Sequence, residues 1–406
     1  MSHGQRILTG ALVALVLAVV VVIVVLQPFS HDDSGNGGPH YADFYAAPAH
    51  VPAEPGKLIR SEVVFAGVPD GAQAWRILYT TTRRNGAPAV ASALVIQRSD
   101  QTSGPHPVIA WAHGTSGFAQ KCAPSLQMDP TVFGGIPGAD KVLAKGWVLV
   151  ATDYTGLGTK GPQPYLIGPG EARSVLDSVR AARQLDQVSL SDKTVVWGHS
   201  QGGGAALWAG IIAKDYAPDV PLAGIGAVAP ASDLPTLATT LGTTQGGVLF
   251  ASYLLEAYAA AYHDVKFDRY VRPDARTPLH DFGELCLTDA AQIVSVGRTL
   301  PPGQPFYADA PTTGALGQRL RENDPTGPIT APLFIGQGTA DRLVLPPSQA
   351  AYVAGRCSDD PATPLEYRTY KGREHINVIA SDSRLPVDLV DWTADRFAGR
   401  PAPTTC

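Results

Sequence analysis

The chain has 406 residues, 45% of them hydrophobic and 17% charged, enough to bury a large core as one big domain or two smaller ones. A net charge of -5 gives no electrostatic reason for a nucleic-acid partner. No GxGxxG opens a helix pattern after a strand, no GxxxxGK[ST] loop occurs (GLGTKG at 156 lacks its spacing), and no CxxC pair or Cys/His cluster offers a metal site, so no cofactor is expected.

In chain order, residues 1–6 read as a short cytoplasmic end. Ile7 to Leu26 is twenty residues without a charge, the length a helix needs to cross a bilayer core. Arg6 precedes it, Asp32 and Asp33 follow, and no Lys or Arg appears until Lys57, so the positive-inside rule places the bulk of the chain outside the cell membrane. The expectation is a single-pass transmembrane signal-anchor over 7–26. A cleaved signal peptide, and hence a secreted protein, is the competing reading, but it has a shorter apolar region and a small-residue cleavage site, whereas Leu26 is followed by QPFSHDD. Residues 27–56, rich in Gly, Pro, Ser, Ala and Asp, read as a linker.

From residue 57 the strand signals start. Ser61 to Val68 and Ala74 to Thr82 flank Pro69-Asp70-Gly71 and predict an antiparallel hairpin, followed by Ala89 to Gln97. Pro107 to His113 (PVIAWAH) and Trp147 to Thr152 (WVLVAT) are continuous apolar runs of the kind buried on both faces. A short helical segment, Ala139 to Lys145, precedes the second run, and a helix from about Glu171 to Leu185 follows it. Ala223 to Pro230, Pro332 to Gly338 and Leu365 to Tyr370 are further strands, with helices near Gln349 to Gly355 and Pro386 to Phe397. This alternation implies right-handed crossovers and a mostly parallel sheet flanked by helices. Between about 235 and 327 the rhythm breaks into Ala- and Leu-rich stretches, including Leu234 to Tyr262 and Asp289 to Val296, which read as an inserted, mainly helical cap.

An outside address makes Cys122, Cys286, Cys357 and Cys406 candidates for two disulfides. Of three connectivities, Cys122–Cys286 with Cys357–Cys406 is favoured, because the second pair would tie down the tail PAPTTC.

The stretch that organises the chain is Thr194 to Gly204, TVVWGHSQGGG, a strand, a sharp turn and a helix with Ser200 at the apex. Gly198 and Gly202 flank the serine where neighbouring backbone leaves no room for a Cβ. A serine hydroxyl needs a base to take its proton and a third group to orient that base, and reactive groups collect at the carboxyl ends of parallel strands. His375 is the one histidine beyond the last plausible acid strand, and Asp341 is the aspartate that directly follows a buried-strand pattern. Glu374 is disfavoured as the acid because its side chain leaves the backbone on the other side from its neighbour's. The oxyanion donors are expected to be the backbone N–H of Gln201, at the helix amino terminus, and that of Thr115, after His113-Gly114. His113 and His199 read as structural, and Asp153 as a loop-forming acid with a weak claim on the site.

The order AWAHGT, GHSQGG, GQGTAD and the late EH resembles the α/β-hydrolase superfamily from about residue 60 onward. The opening DFYAAPAHVPAEPGKLIRSEVV, the segment DYTGLG and a cap with four cysteines are similar to the secretory lipases of the Candida lipase A type. That resemblance implies a lipase or carboxylesterase acting on carboxylic esters, acylglycerols among them. It implies a Ser200, Asp341 and His375 triad and supports the cysteine pairing above. The expected architecture is thus a membrane helix, a linker, and an α/β-hydrolase domain over 57–406 with a cap at about 235–327. The apolar insertion around 237–262 reads as a lid over an acyl pocket. An acyltransferase or peptidase with the same triad, and a non-catalytic surface domain, are the alternatives.

Overall fold

The computed structural model describes residues 43–101, 104–127, 135–244, 246–300 and 304–406. The compact unit runs from Phe44 to Cys406 and is built on one nine-stranded sheet. Its strands are β1 (Leu58–Val64), β2 (Ala72–Thr82), β3 (Pro88–Arg98), β4 (His106–Ala112), β5 (Val148–Thr152), β6 (Leu190–His199), β7 (Leu222–Val228), β8 (Leu333–Gly338) and β9 (Leu365–Tyr370). The spatial order is β1-β2-β3-β5-β4-β6-β7-β8-β9. β1, β2 and β3 form an antiparallel meander, β3 pairs antiparallel with β5, and every pair from β5 to β9 is parallel.

The predicted hairpin is β1 and β2, in register from Arg60 opposite Leu78 to Val64 opposite Ala74, with a shift between Arg60 and Leu58. Its turn closes through the Ala72 N–H on the Pro69 carbonyl at 3.0 Å, with Gly71 at φ 73°. The continuous apolar runs are buried on both faces, as side chains alternating along a strand require. Val108, Ala110 and Ala112 of β4 join the cluster under helices α2 (Gly168–Ala182) and α3 (Gln201–Tyr216). Ile109 and Trp111 join the cluster on the other face, under α1 (Ala139–Ala144) and α10 (Leu385–Phe397). Trp197 on β6 is fully buried there, and its indole N–H donates to Thr393 Oγ1 at 3.0 Å, so its polar edge is satisfied.

The cap comprises α4 (Leu234–Leu241), α5 (Gly247–Ala261), α6 (Arg276–Gly283), α7 (Ala290–Gly297) and α8 (Gly314–Glu322), before β8 and α9 (Pro346–Asp359) resume the alternation. The apolar stretch 234–262 is two helices and not one. Asp233 caps α4 by accepting the Thr236 N–H, and Gly246, at φ 80°, starts α5 after a break. The cap has its own core, in which Leu241, Tyr253, Leu254, Tyr258 and Phe282 are almost fully buried.

One expectation is corrected. The transmembrane helix expected over 7–26, with the single-pass membrane address that rested on it, finds no support in the structure. That stretch lies outside the described residues, and among the described residues no helix is long and apolar enough to cross a membrane. The most apolar one, α5, has 15 residues, or about 22 Å, which falls short of a hydrocarbon core, and it packs into the cap. Phe44 and Tyr45, within the stretch read as a linker, are buried against Leu78 and Val90.

The disulfides are Cys122–Cys286 and Cys357–Cys406, with Cα–Cα distances of 5.2 and 5.4 Å. The first fastens the loop after β4 to the cap, where the Leu287 N–H also donates to the Ser116 carbonyl at 2.8 Å. The second joins α9 to the tail, whose Thr405 N–H donates to Leu365 of β9 at 2.7 Å. Cys406→Ser is therefore expected to cost about 2–4 kcal/mol, read as a lower thermal midpoint. A variant as stable as the parent would mean that the strand pairing alone holds the tail.

Candidate active site

Loops converge at the carboxyl ends of the parallel strands. Ser200 stands at the end of β6 with φ 59° and ψ −120°, a conformation that costs a non-glycine residue about 1–3 kcal/mol. The turn is held because the Ser200 N–H donates to the Val228 carbonyl at 2.9 Å and the Ser200 carbonyl accepts from Gly204 and Ala231. The flanking glycines are required on steric grounds. A Cβ on Gly198 would lie 1.9 Å from the Gly202 carbonyl oxygen, and one on Gly202 would lie 1.9 Å from that of Ala112. Tyr154, Leu166 and Ala229 also have left-handed φ, and all three lie in loops beside this turn.

His375 Nε2 is 2.8 Å from Ser200 Oγ, and its Nδ1 is 2.8 Å from Asp341 Oδ2. The acid and the base come from neighbouring strands, β8 and β9, and Gly338 lets their loops meet. A Cβ there would be 2.3 Å from the Arg373 carbonyl oxygen, and the Ala340 N–H donates to that same oxygen at 2.9 Å. Asp341 is 3% exposed and accepts further hydrogen bonds from the N–H groups of Leu343 and Val344 and from Gln337 Nε2. Burial pushes its carboxyl up, but the His375 hydrogen bond and charge, with the backbone donors, outweigh it and hold the group below the ordinary 3.8. Glu374 is exposed and Asp341 occupies the site beside the imidazole.

The structure brings Gln201 and Thr115 to the same side of Ser200, where both line one small cavity with Tyr165, Phe250 and Leu343. Gln201 opens α3, so its N–H is one of those a helix leaves without an internal partner. The Thr115 hydroxyl is 2.9 Å from the Tyr165 hydroxyl. His113 lies behind this loop, with Nδ1 2.5 Å from the Gly114 carbonyl oxygen, while the His113 carbonyl accepts from the Tyr154 hydroxyl. Asp153 is buried and spent on Ser92 and Ser125, which makes it an anchor of the Cys122 loop and not a member of the site.

His199 does more than pack. Its Nε2 lies 2.9 Å from the His375 carbonyl oxygen, which can only accept, so that nitrogen carries a proton and donates. Burial first, and His375 second, depress His199 to about 3, leaving it neutral at working pH. Sequence reasoning missed this contact, as it missed Gln337, Tyr165 and Glu171. Glu171 is fully enclosed beside Gln201 and pushed up to about 8 by burial. An acidic residue in the first turn of a helix is common there because the helix dipole favours it, so it carries no signal of its own. Gly338, in contrast, stands out as a second glycine at a strand end.

Residues 138–405, about two thirds of the chain, match the family described as secretory lipase. A relative from Mycobacterium tuberculosis named "Probable inactive lipase MT1628" is 28% identical, over 88% of this chain and 82% of its own length. The "Secreted triacylglycerol lipase LIP7" of Malassezia globosa is 25% identical, over 93% of this chain and 81% of its own. The structure of Candida antarctica lipase A in its closed state superposes with a TM-score of 0.72 at 20% identity, covering 89% of this chain and 88% of that one. This likeness establishes the α/β-hydrolase fold.

Proposed function

The chain belongs to the secretory lipase family, and from that premise we propose that it is a secreted serine ester hydrolase working through an acyl-enzyme on Ser200. The observation that carries this reading is the pair of 2.8 Å contacts linking Ser200, His375 and Asp341 across the ends of three strands. Ser200 Oγ attacks the ester carbonyl carbon while His375 Nε2 takes its proton, and Asp341 holds the Nδ1–H. The charge on the carbonyl oxygen meets the N–H groups of Gln201 and Thr115. Collapse breaks the ester C–O bond, the alcohol leaves with the proton from His375, and the acyl group stays on Ser200. Water then gives a proton to His375 and attacks the acyl carbon; the carboxylic acid leaves and Ser200 regains its proton.

Apolar esters are the substrate class, acylglycerols among them, since Leu237, Leu241 and Phe250 of the cap line the cavity over Ser200. The Malassezia relative, named a secreted triacylglycerol lipase, supports both this class and the secreted address. The cavity holds about 20 Å³, room for a water or two, so an acyl chain enters when α4 or α5 moves.

One observation favours a second reading: a relative of similar length is named probable inactive, so the fold can persist without turnover. Fluorophosphonate labelling separates the two. The hydrolase reading expects stoichiometric modification of Ser200, located by peptide mass, together with hydrolysis of p-nitrophenyl esters. An unlabelled, correctly folded protein sinks it.

A further inference from the structure

One buried carboxyl, bonded to two residues that line the cavity over Ser200, has no part in the steps above. Glu171, in the first turn of α2, is 1% exposed. Its Oε1 accepts from Gln201 Nε2 at 2.7 Å and from the Leu166 N–H at 3.1 Å. Both donor residues line the cavity over Ser200, which holds the oxyanion site. Gln201 supplies one of its N–H groups. Leu166, at φ 56°, follows Tyr165, whose hydroxyl is bonded to Thr115, the other donor residue. The same turn is tied to the cap by the Tyr258 hydroxyl on the Leu166 carbonyl at 2.9 Å.

We propose that Glu171 is a positioning residue of the oxyanion hole, which as a neutral acid fixes Gln201 and the Tyr165–Leu166 turn in place and on ionising lowers turnover. The proposal rests on the reading of Gln201 and Thr115 as oxyanion donors. Its electrostatic part follows from the surroundings. Tyr154 after β5, Tyr165 before α2 and Tyr258 of α5 face the carboxyl, and all three hydroxyls are raised by burial and stay neutral. From α3 the neighbour is Gln201, which carries no charge. No cation is among these neighbours, and burial, opposed by the Gln201 and Leu166 hydrogen bonds, raises the carboxyl to about 8. Below that pH the acid keeps its proton and adds no charge. Above it, the proton passes to water and a fixed anion stands directly behind Gln201 and Leu166, which line the pocket where the anion forms on the substrate, in buried surroundings where like charges repel far more than in water.

The test is kcat and KM for a soluble p-nitrophenyl ester from pH 6 to 10, for the parent, Glu171→Gln and Glu171→Ala. The parent should lose turnover roughly 3- to 10-fold with a midpoint near 8. Glu171→Ala should lower kcat about 10- to 100-fold with KM changed less than about threefold, the mark of a contact felt in the transition state. Glu171→Gln, which keeps an acceptor oxygen without a titrating proton, should restore most of that loss and abolish the alkaline fall. A purely structural role would not move the pH profile. The proposal is overturned if Glu171→Gln keeps the parent's alkaline fall, if the parent has none, or if Glu171→Ala retains the parent's kcat. Should Glu171→Ala fail to fold, the profile of Glu171→Gln decides. Fluorophosphonate labelling keeps the readings apart: labelling with any of these outcomes overturns the role of Glu171 alone, whereas an unlabelled Ser200 overturns the hydrolase reading itself.

Discussion

Ser200→Ala is expected to lower kcat for p-nitrophenyl esters by about 10⁵- to 10⁶-fold while the protein stays folded. Every step assigned to the site passes through the Ser200 oxygen, and nothing beside it can take over the attack. Asp341 is turned toward His375 and held by Leu343 and Val344, and the Thr115 hydroxyl is engaged with Tyr165. Residual rate comes from the oxyanion donors and from holding the substrate, which alone exceed the reaction in water by about 10³- to 10⁴-fold. The fold should be indifferent to the change. Alanine has the same Cβ as serine, so the cost of φ 59° is unchanged, and the backbone bonds to Val228, Gly204 and Ala231 do not involve the hydroxyl. Turnover within tenfold of the parent, with an unchanged circular dichroism melt, would remove Ser200 from the mechanism. A collapse in thermal stability would show that the hydroxyl bears on the fold.

What could be read from the residues follows from where each signal resides. Strands buried on both faces are continuous apolar runs, so β4, β5 and β8 are visible within a residue or two at each end. The β9 boundaries, Leu365–Tyr370, coincide with the predicted ones. The helix predicted at Glu171 begins three residues earlier, because Gly168-Pro169 opens α2 with a proline whose missing N–H costs nothing there. The cap is legible as a break in rhythm, and Asp289 to Val296 as the helix α7 to within a residue, whereas 234–262 reads as one stretch although GTTQGG at 242 separates α4 from α5. Ser200, Asp341 and His375 could be chosen because a strand end, a residue type and a chain order each narrow the field. Glu171 and Gln337 could not, because a buried polar residue inside a helix or strand has meaning only once its neighbours from distant sequence are in place. The membrane helix expected over 7–26 is without support: hydropathy states what a segment could do in lipid, and among the described residues no helix is long and apolar enough to cross a membrane.

The second large effect is expected at Asp341. Asp341→Asn should lower kcat about 10⁴-fold with little change in KM, because an amide can turn its NH₂ toward Nδ1 and stabilise the tautomer of His375 that carries no free lone pair toward Ser200. The loss also has a structural side. The carboxylate accepts from four donors, the His375 ring, Gln337 Nε2 and the N–H groups of Leu343 and Val344. An amide has one oxygen for that set, so at least one buried donor loses its acceptor, at about 1–3 kcal/mol. The pH dependence gives this penalty a sign. Asp341 is held below its ordinary 3.8, so the folded state binds its proton less readily than the unfolded state does. Its contribution to stability is present above about pH 4 and is lost as pH falls through the lowered folded value. Asparagine does not titrate, so the gap in thermal midpoint between the parent and Asp341→Asn should be widest near neutrality and close on acidification below about pH 4. A gap that widens on acidification would mean that the buried carboxyl prefers its proton. Asp341 would then be a neutral acid in the resting site, unable to support the imidazolium that the proposed mechanism requires.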